Sequence, residues 1–186
     1  MDAEKFTQST IKQINLATEI AQQLKNPEVT SLHLLKAQLD QTDGLICSLL
    51  VKGEVDLKGL VFKTDTELGK LPKVSGGTLY LSAGLNSVIS LAQNQMEQMG
   101  DEFISVEHLF IAMLSCDDRS LYFLKDYIDK DKFLKTLMEV RGNMKVTSDN
   151  PEEVYDVLNK YGSDLVERAK QQKLDPVIGS RGVGTG

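Results

Sequence analysis

Apolar residues recur at helical spacing near the start of the chain. One stripe follows the i, i+3, i+7, i+10 rhythm of a helix face, and its members are Ile14, Ala17, Ala21 and Leu24. Thr7 predicts the start of this helix, because its hydroxyl can accept an unpaired N–H of the first turn. The Asn26-Pro27 pair predicts its end.

Three more helices are predicted in the first part of the chain. Thr30 is the predicted cap of the second helix, whose apolar face holds Leu34, Leu35 and Leu39. Gly44 interrupts this pattern. Residues 45–50 then predict a short third helix, and residues 56–71 predict a fourth, less regular one.

The same order of patterns returns after a shift of 75 residues, which places residues 29–39 on residues 104–114. Ser82 caps the counterpart of the first helix, and the apolar stripe of that helix holds Leu85, Val88, Ala92, Met96 and Met99. Gly100 ends that helix and Ser105 caps the next one. Shorter helices are predicted over residues 119–127 and 130–141.

The repeated pattern predicts an all-α fold, built as a pseudo-twofold repeat of two four-helix units. Repeat one covers residues 1–71 and repeat two covers residues 78–142 of a domain spanning residues 1–142. Strand propensity is low throughout. Two copies are too few for a solenoid, so the units are expected to pack on each other.

After residue 142 the composition changes. Residues 143–151 are polar and predict a linker, and Asn150 and Pro151 predict the start of a linker helix, which extends the linker segment to residue 160. Residues 180–186 are rich in glycine and have no core to join, which favours a tail introduced by cloning.

The net charge of -6 and the pI near 5.0 argue against nucleic acid and anionic membranes as partners. No apolar run approaches the length of a membrane span, and the first ten residues lack the apolar core of a signal peptide. The predicted location is therefore cytoplasmic. The cysteines and histidines show no metal-ligand spacing, so no metal site is expected.

Several motifs together resemble a known family. Residues 30–35 read TSLHLL and residues 100–109 read GDEFISVEHL, which is similar to the double Clp-N motif of the Clp/Hsp100 chaperones. The LPKV of residues 71–74 resembles the ClpB/Hsp104 branch in particular. Residues 161–179 resemble the segment that leads into the first AAA+ ATPase domain of that branch.

The resemblance implies a substrate-recruiting domain of an ATP-dependent disaggregase, which binds exposed hydrophobic segments of unfolded or aggregated proteins. It implies that the whole protein is a homohexamer that uses ATP and Mg²⁺ and works with a DnaK-type co-chaperone. Val177 and Ile178 resemble residues that pack on the nucleotide. This chain has no Walker A loop, so it is expected to need no cofactor and to lack enzymatic activity. It is also expected to be monomeric, because the resemblance implies that ring assembly depends on ATPase domains that this chain lacks.

The resemblance also implies a client site at Thr7, Asp101 and Glu107. The structural alternatives are a helix cap for Thr7, a turn for Asp101 and a favourable helix-dipole position for Glu107. An apolar groove between the repeats is expected to take the client, with candidates Phe6, Leu91, Met96, Phe103, Ile104 and Leu109. Each of these residues could instead belong to the core.

Three other functions stay open at this point. The domain could dock an adaptor for a ClpA- or ClpC-type unfoldase that feeds a protease. A small hydrolase could use His33 or His108, but the sequence shows no nucleophile motif beside either residue. A helix-turn-helix DNA reader suits an all-α fold but not the acidic charge.

Overall fold

The first repeat contains four helices in the computed structural model, which describes residues 3–149 of the chain. A 3₁₀ turn at Ala3–Lys5 comes first. The elements that follow are α1 (Gln8–Gln23), β1 (Glu28–Val29), α2 (Ser31–Asp40), α3 (Leu45–Lys52) and α4 (Leu57–Gly69). Thr7 caps α1 as predicted, because its Oγ1 accepts the N–H of Thr10 at 3.2 Å.

The second repeat follows the same order. Its elements are β2 (Tyr80–Leu81), α5 (Ala83–Gln98), α6 (Val106–Ser115), a 3₁₀ turn (Arg119–Leu121), α7 (Leu124–Tyr127) and α8 (Lys130–Arg141). Ser82 caps α5 by accepting the N–H of Leu85 at 3.0 Å. The predicted all-α class and the two four-helix repeats are confirmed.

The predicted stripes account for most of the helix packing. Ala17 and Ala21 are fully buried, and such small side chains let α1 approach α2 closely. Ile14 and Leu24 stay half-exposed, and the polar residues Thr10 and Gln13 are buried on the α1 face instead. Among residues 3–149, no helix has the length and hydrophobicity needed to cross a membrane.

The two repeats are joined by short parallel strands, which the sequence did not predict. β1 pairs with β2, so that Glu28 lies opposite Tyr80 and Val29 lies opposite Leu81. An isolated parallel bridge joins Phe6 to Ile104. The strand pairing provides hydrogen-bond partners for backbone N–H and C=O groups in the segments just before helices. Each strand has only two residues and pairs with a distant segment, so the sequence contains no alternation of apolar and polar residues that could predict it.

Residues 143–149, predicted as the start of a polar linker, pack against the domain instead. Val146 is fully buried. Its carbonyl accepts the N–H of Glu102 at 2.7 Å, and the carbonyl of Asp149 accepts the N–H of Gln8 at 2.7 Å. The rest of the predicted linker helix, the segment 161–179 and the tail 180–186 lie outside the described residues.

The two repeats differ at the turn that ends their first helix, and this difference predicts a stabilising substitution. Gly100 has φ +73° and its counterpart Lys25 has φ +59°. A side chain in this left-handed region costs roughly 1 kcal/mol. We expect Lys25→Gly to raise the free energy of unfolding by a few tenths to about 1 kcal/mol, measured by urea denaturation.

The reciprocal variant is the control. Gly100→Ala should destabilise the domain by about 1 kcal/mol through the backbone alone, because an added Cβ meets only the flexible end of Lys145, at 3.6 Å. A stabilising Gly100→Ala would contradict this account of the turn.

Candidate functional site

Each repeat holds a buried histidine at the start of its second helix. In repeat one, Nδ1 of His33 accepts the N–H of Thr30 at 2.9 Å, so the ring carries its proton on Nε2. That nitrogen donates to Oδ1 of Asn26 at 2.8 Å. The histidine thereby takes the place that Glu or Gln usually holds in a capping box.

Repeat two builds the same corner with a charged partner. The N–H of Ser105 donates to Nδ1 of His108 at 2.8 Å, and Nε2 of His108 donates to Oδ2 of Asp101 at 2.7 Å. Both histidine side chains are fully buried and both ring nitrogens of each are engaged. This geometry favours a structural role for both rings and gives no support to a hydrolase.

Asp101 also binds an arginine that the sequence analysis missed. Nη2 of Arg141 lies 2.6 Å from Oδ1 of Asp101, and Nη1 lies 3.0 Å from Oδ2. The same Nη1 lies 3.6 Å from Oε2 of Glu107, whose side chain is fully buried. The predicted residues Asp101 and Glu107 thus meet in one buried ion-pair cluster. The sequence signal for this cluster is a difference between the repeats, since Asp101 in repeat two stands where repeat one has Asn26.

The charges of this corner are fixed by their surroundings. Burial alone would raise the pKa of Asp101, but hydrogen bonds from His108 and Arg141 hold that pKa well below its usual range. Burial lowers the pKa of His33 to about 4, since its partner Asn26 carries no charge. His33 is therefore neutral at physiological pH.

The third predicted polar residue, Thr7, lies apart from this cluster at the start of α1. It is fully buried, and its N–H donates to the carbonyl of Ile104 at 3.0 Å. Its cap position confirms the structural alternative. A direct contact between a client and Thr7, Asp101 or Glu107 stays a prediction.

The predicted apolar candidates separate into core and surface. Ile104 and Leu109 are fully buried, and Phe6 is 8% exposed. Phe103 is half-buried, and Leu91 is 37% exposed. Ile104 and Leu109 therefore belong to the core of the described domain.

A wide cavity of about 870 Å³ lies between the two repeats, and Leu91 lines it. Thr30, Leu32 and Leu71 contribute from repeat one. The remaining lining comes from α5 with its cap Ser82 and from the segment after α6: Ser82, Gly84, Asn86, Ser87, Ser90, Asn94, Cys116, Asp117, Asp118, Arg119 and Ser120. The cavity thus combines a few apolar side chains with many that can form hydrogen bonds.

Other candidates line a second, smaller cavity of about 390 Å³. Met96, Asp101 and Phe103 meet there with Glu4, Lys5 and Glu102. The predicted groove is therefore divided, because Leu91 lies in one cavity while Met96 and Phe103 lie in another. Val177 and Ile178 lie outside the described residues.

Known proteins share both sequence and fold with this chain. The Clp repeat (R) N-terminal domain family matches residues 5–127. The chaperone protein ClpB of Bacillus anthracis is 38% identical over 96% of the chain, and the chain spans only 21% of that protein.

Two solved structures confirm the fold. The Hsp104 N-terminal domain from Candida albicans has a TM-score of 0.70 at 24% identity, and the match covers 80% of this chain and 99% of that one. A ClpV N-domain in complex with a VipB peptide has a TM-score of 0.61 at 15% identity, over 80% of this chain and 91% of that one.

The lowered pKa of His33 predicts a pH dependence of stability. An unfolded histidine titrates near 6.5, so between pH 6.5 and about 4 the unfolded chain binds a proton that the folded chain does not. The stabilisation is complete above pH 6.5 and is lost as pH falls through this window, at a cost on the order of 3 kcal/mol.

A matched variant isolates this contribution. His33→Gln keeps a capping-box side chain but removes the titrating ring. Urea denaturation between pH 7 and pH 4.5 should show a smaller loss of stability for the variant than for the native chain. Equal losses would assign the pH dependence to other groups.

The ion pair between Asp101 and Arg141 predicts that substitutions of these two residues have strongly non-additive effects on the free energy of unfolding. Arg141→Met should destabilise the domain by about 3 kcal/mol, because it leaves a buried carboxylate without its cation. Adding Asp101→Asn should recover part of this loss, since repeat one already uses asparagine at the equivalent corner. A urea-denaturation double-mutant cycle checks this coupling, and additive losses would contradict it.

Proposed function

The chain belongs to the Clp repeat N-terminal domain family, and we propose that it recruits unfolded or aggregated proteins for a ClpB/Hsp104-type disaggregase. The observation that carries this proposal is the exposed Leu91 in the wide cavity between the repeats. The similarity to ClpB over nearly the whole chain supports the chaperone branch of the family.

The chemistry of this cavity suits an extended polypeptide. Leu91 offers exposed apolar surface, and Leu32 and Leu71 line the same space. Hydroxyl and amide side chains such as Ser87 and Asn94 surround them and can bond to the main chain of a client. Apolar contacts and main-chain hydrogen bonds are available from any unfolded segment, so this combination favours broad recognition.

Weak binding at this single cavity is sufficient for the proposed role. In a homohexamer, six tethered copies act at high effective concentration on one aggregate. ATP and Mg²⁺, the hexamer and a DnaK-type co-chaperone are part of the proposal for the whole protein. The chain itself is proposed to contribute recruitment and no catalysis.

Docking of one defined peptide is the second candidate function. The ClpV N-domain was solved in complex with a VipB peptide, and that domain shares the fold. An adaptor of a ClpA- or ClpC-type unfoldase could use the same kind of contact. Titration with two unrelated unfolded proteins separates the two functions, since only client recruitment predicts that both bind.

The recruitment proposal predicts a local response to unfolded protein. We expect reduced, carboxymethylated α-lactalbumin to shift the amide NMR signals of residues around Leu91. Leu91→Ser should weaken binding roughly fivefold, because it removes about 1 kcal/mol of apolar contact. The titration measures both the position of the shifts and the apparent Kd.

Phe62→Ser is the matched control, because Phe62 is 75% exposed but does not line the cavity. This variant should bind as the native chain does. Equal affinity of the Leu91→Ser variant and the native chain, or shifts confined to other surfaces, would sink the proposal. Binding of casein as well as α-lactalbumin would favour recruitment over adaptor docking.

A further inference from the structure

A third cavity, of about 170 Å³, lies where equivalent loops of the two repeats meet, and it shares no lining residue with the wide cavity. The shift of 75 residues places residues 49–55 on residues 124–130, and both segments contribute to its lining. One wall comes from the end of α3, and the other comes from the end of α7 and the start of α8. A ligand in this cavity would therefore contact both repeats.

The floor of this cavity is apolar and preformed. It is made by the buried side chains of Leu49, Leu50, Ile128 and Phe133. The ring of Phe133 is held against that of Phe110, with the ring centroids 4.9 Å apart. A cavity of about 150 Å³ with this kind of lining can bind a molecule of the size of benzene. The volume therefore suits one apolar side chain of leucine or phenylalanine size.

The rim of the cavity carries one available charge of each sign, and each repeat supplies one of them. Glu54 and Lys132 are both exposed and both line the cavity. Within residues 3–149, neither the carboxylate of Glu54 nor the ammonium of Lys132 has an ion-pair or hydrogen-bond partner. The other rim carboxylate is engaged, because Oδ1 of Asp129 accepts the N–H of Asp131 at 3.0 Å and caps α8. Two opposite charges are thus available to a ligand that carries both an ammonium and a carboxylate group.

Glu54 has a left-handed backbone conformation, with φ +62°. The end of α3 fixes this conformation, since the N–H of Glu54 donates to the carbonyl of Val51 at 3.0 Å. The N–H of Val55 donates to the carbonyl of Leu50, also at 3.0 Å. Glycine is the usual residue at such a helix end, because a Cβ is unfavourable there. A glutamate in this conformation, at the rim of a cavity, points to a role for its side chain.

We propose that this cavity binds a free α-amino acid with an apolar side chain. The side chain of the ligand fills the space lined by Phe133, its ammonium group pairs with Glu54 and its carboxylate pairs with Lys132. The ligand joins the two repeats, so its binding stabilises the folded domain. This inference goes beyond the proposed function, because neither charged residue lines the wide cavity and the ligand is not a polypeptide.

Amide NMR titration of the native chain with L-leucine tests the site. We expect the shifts to cluster at residues 53–55 and 127–132 and to leave the signals around Leu91 unchanged. Three related compounds each lack one recognised group. Alanine lacks the large apolar side chain, N-acetyl-L-leucine lacks the ammonium and L-leucinamide lacks the carboxylate. Each should bind more weakly than L-leucine by roughly fivefold or more.

Substitutions at the rim test the two charges. Glu54→Gln and Lys132→Met should each lower the affinity for L-leucine by about fivefold, because each removes one charged partner. Glu97→Gln and Lys135→Met are the matched controls, since both residues are exposed and lie outside the lining of the cavity. Both control variants should bind L-leucine as the native chain does.

A further variant separates recognition from folding. Glu54→Gly should raise the midpoint of urea denaturation, because it removes the Cβ from a left-handed position. L-Leucine should raise the midpoint of the native chain but no longer that of this variant. A purely structural role of Glu54 would not produce this combination of higher stability and lost ligand response.

Each result supports or overturns the site. Shifts confined to other surfaces, or no shifts at millimolar L-leucine, overturn it. Equal binding of L-leucinamide overturns the free amino acid and would favour the N-terminal residue of a polypeptide. Unchanged affinity in both Glu54→Gln and Lys132→Met overturns the assigned charges. The response to α-lactalbumin around Leu91 should be native in these variants, so a failure of the amino-acid site and a failure of recruitment are distinguishable.

Discussion

The carboxylate of Asp101 holds together the corner on which the second repeat depends. It accepts hydrogen bonds from His108 on α6, from Arg141 at the end of α8 and from the backbone of Val146 in the segment after α8. A buried carboxylate is tolerated only when such donors replace the water it has lost. The start of α6, the end of α8 and the path of the chain after α8 are therefore fixed by one side chain.

The first repeat solves the same problem without charge, and this explains the asymmetry of the domain. Asn26 accepts from His33 and donates its Nδ2 to the carbonyl of Pro72 at 2.9 Å. An amide serves as donor and acceptor at once, so no arginine is needed at this corner. The chain stays at this corner as far as Val74, whose N–H donates to the carbonyl of Lys25 at 2.8 Å, and then returns to β2. The exchange of the neutral Asn26 for the charged Asp101 thus goes together with the cationic partner Arg141 in the second repeat.

The sequence predicted what depends on local spacing and failed where distant segments meet. Thr7, Ser82 and Gly100 were placed correctly at helix ends, because capping and turn chemistry act over three or four residues. The pairing of Phe6 with Ile104 and the burial of Val146 could not be predicted, because each requires contacts from the far end of the domain. The family resemblance named Asp101 and Glu107 but could not indicate that Arg141 joins them.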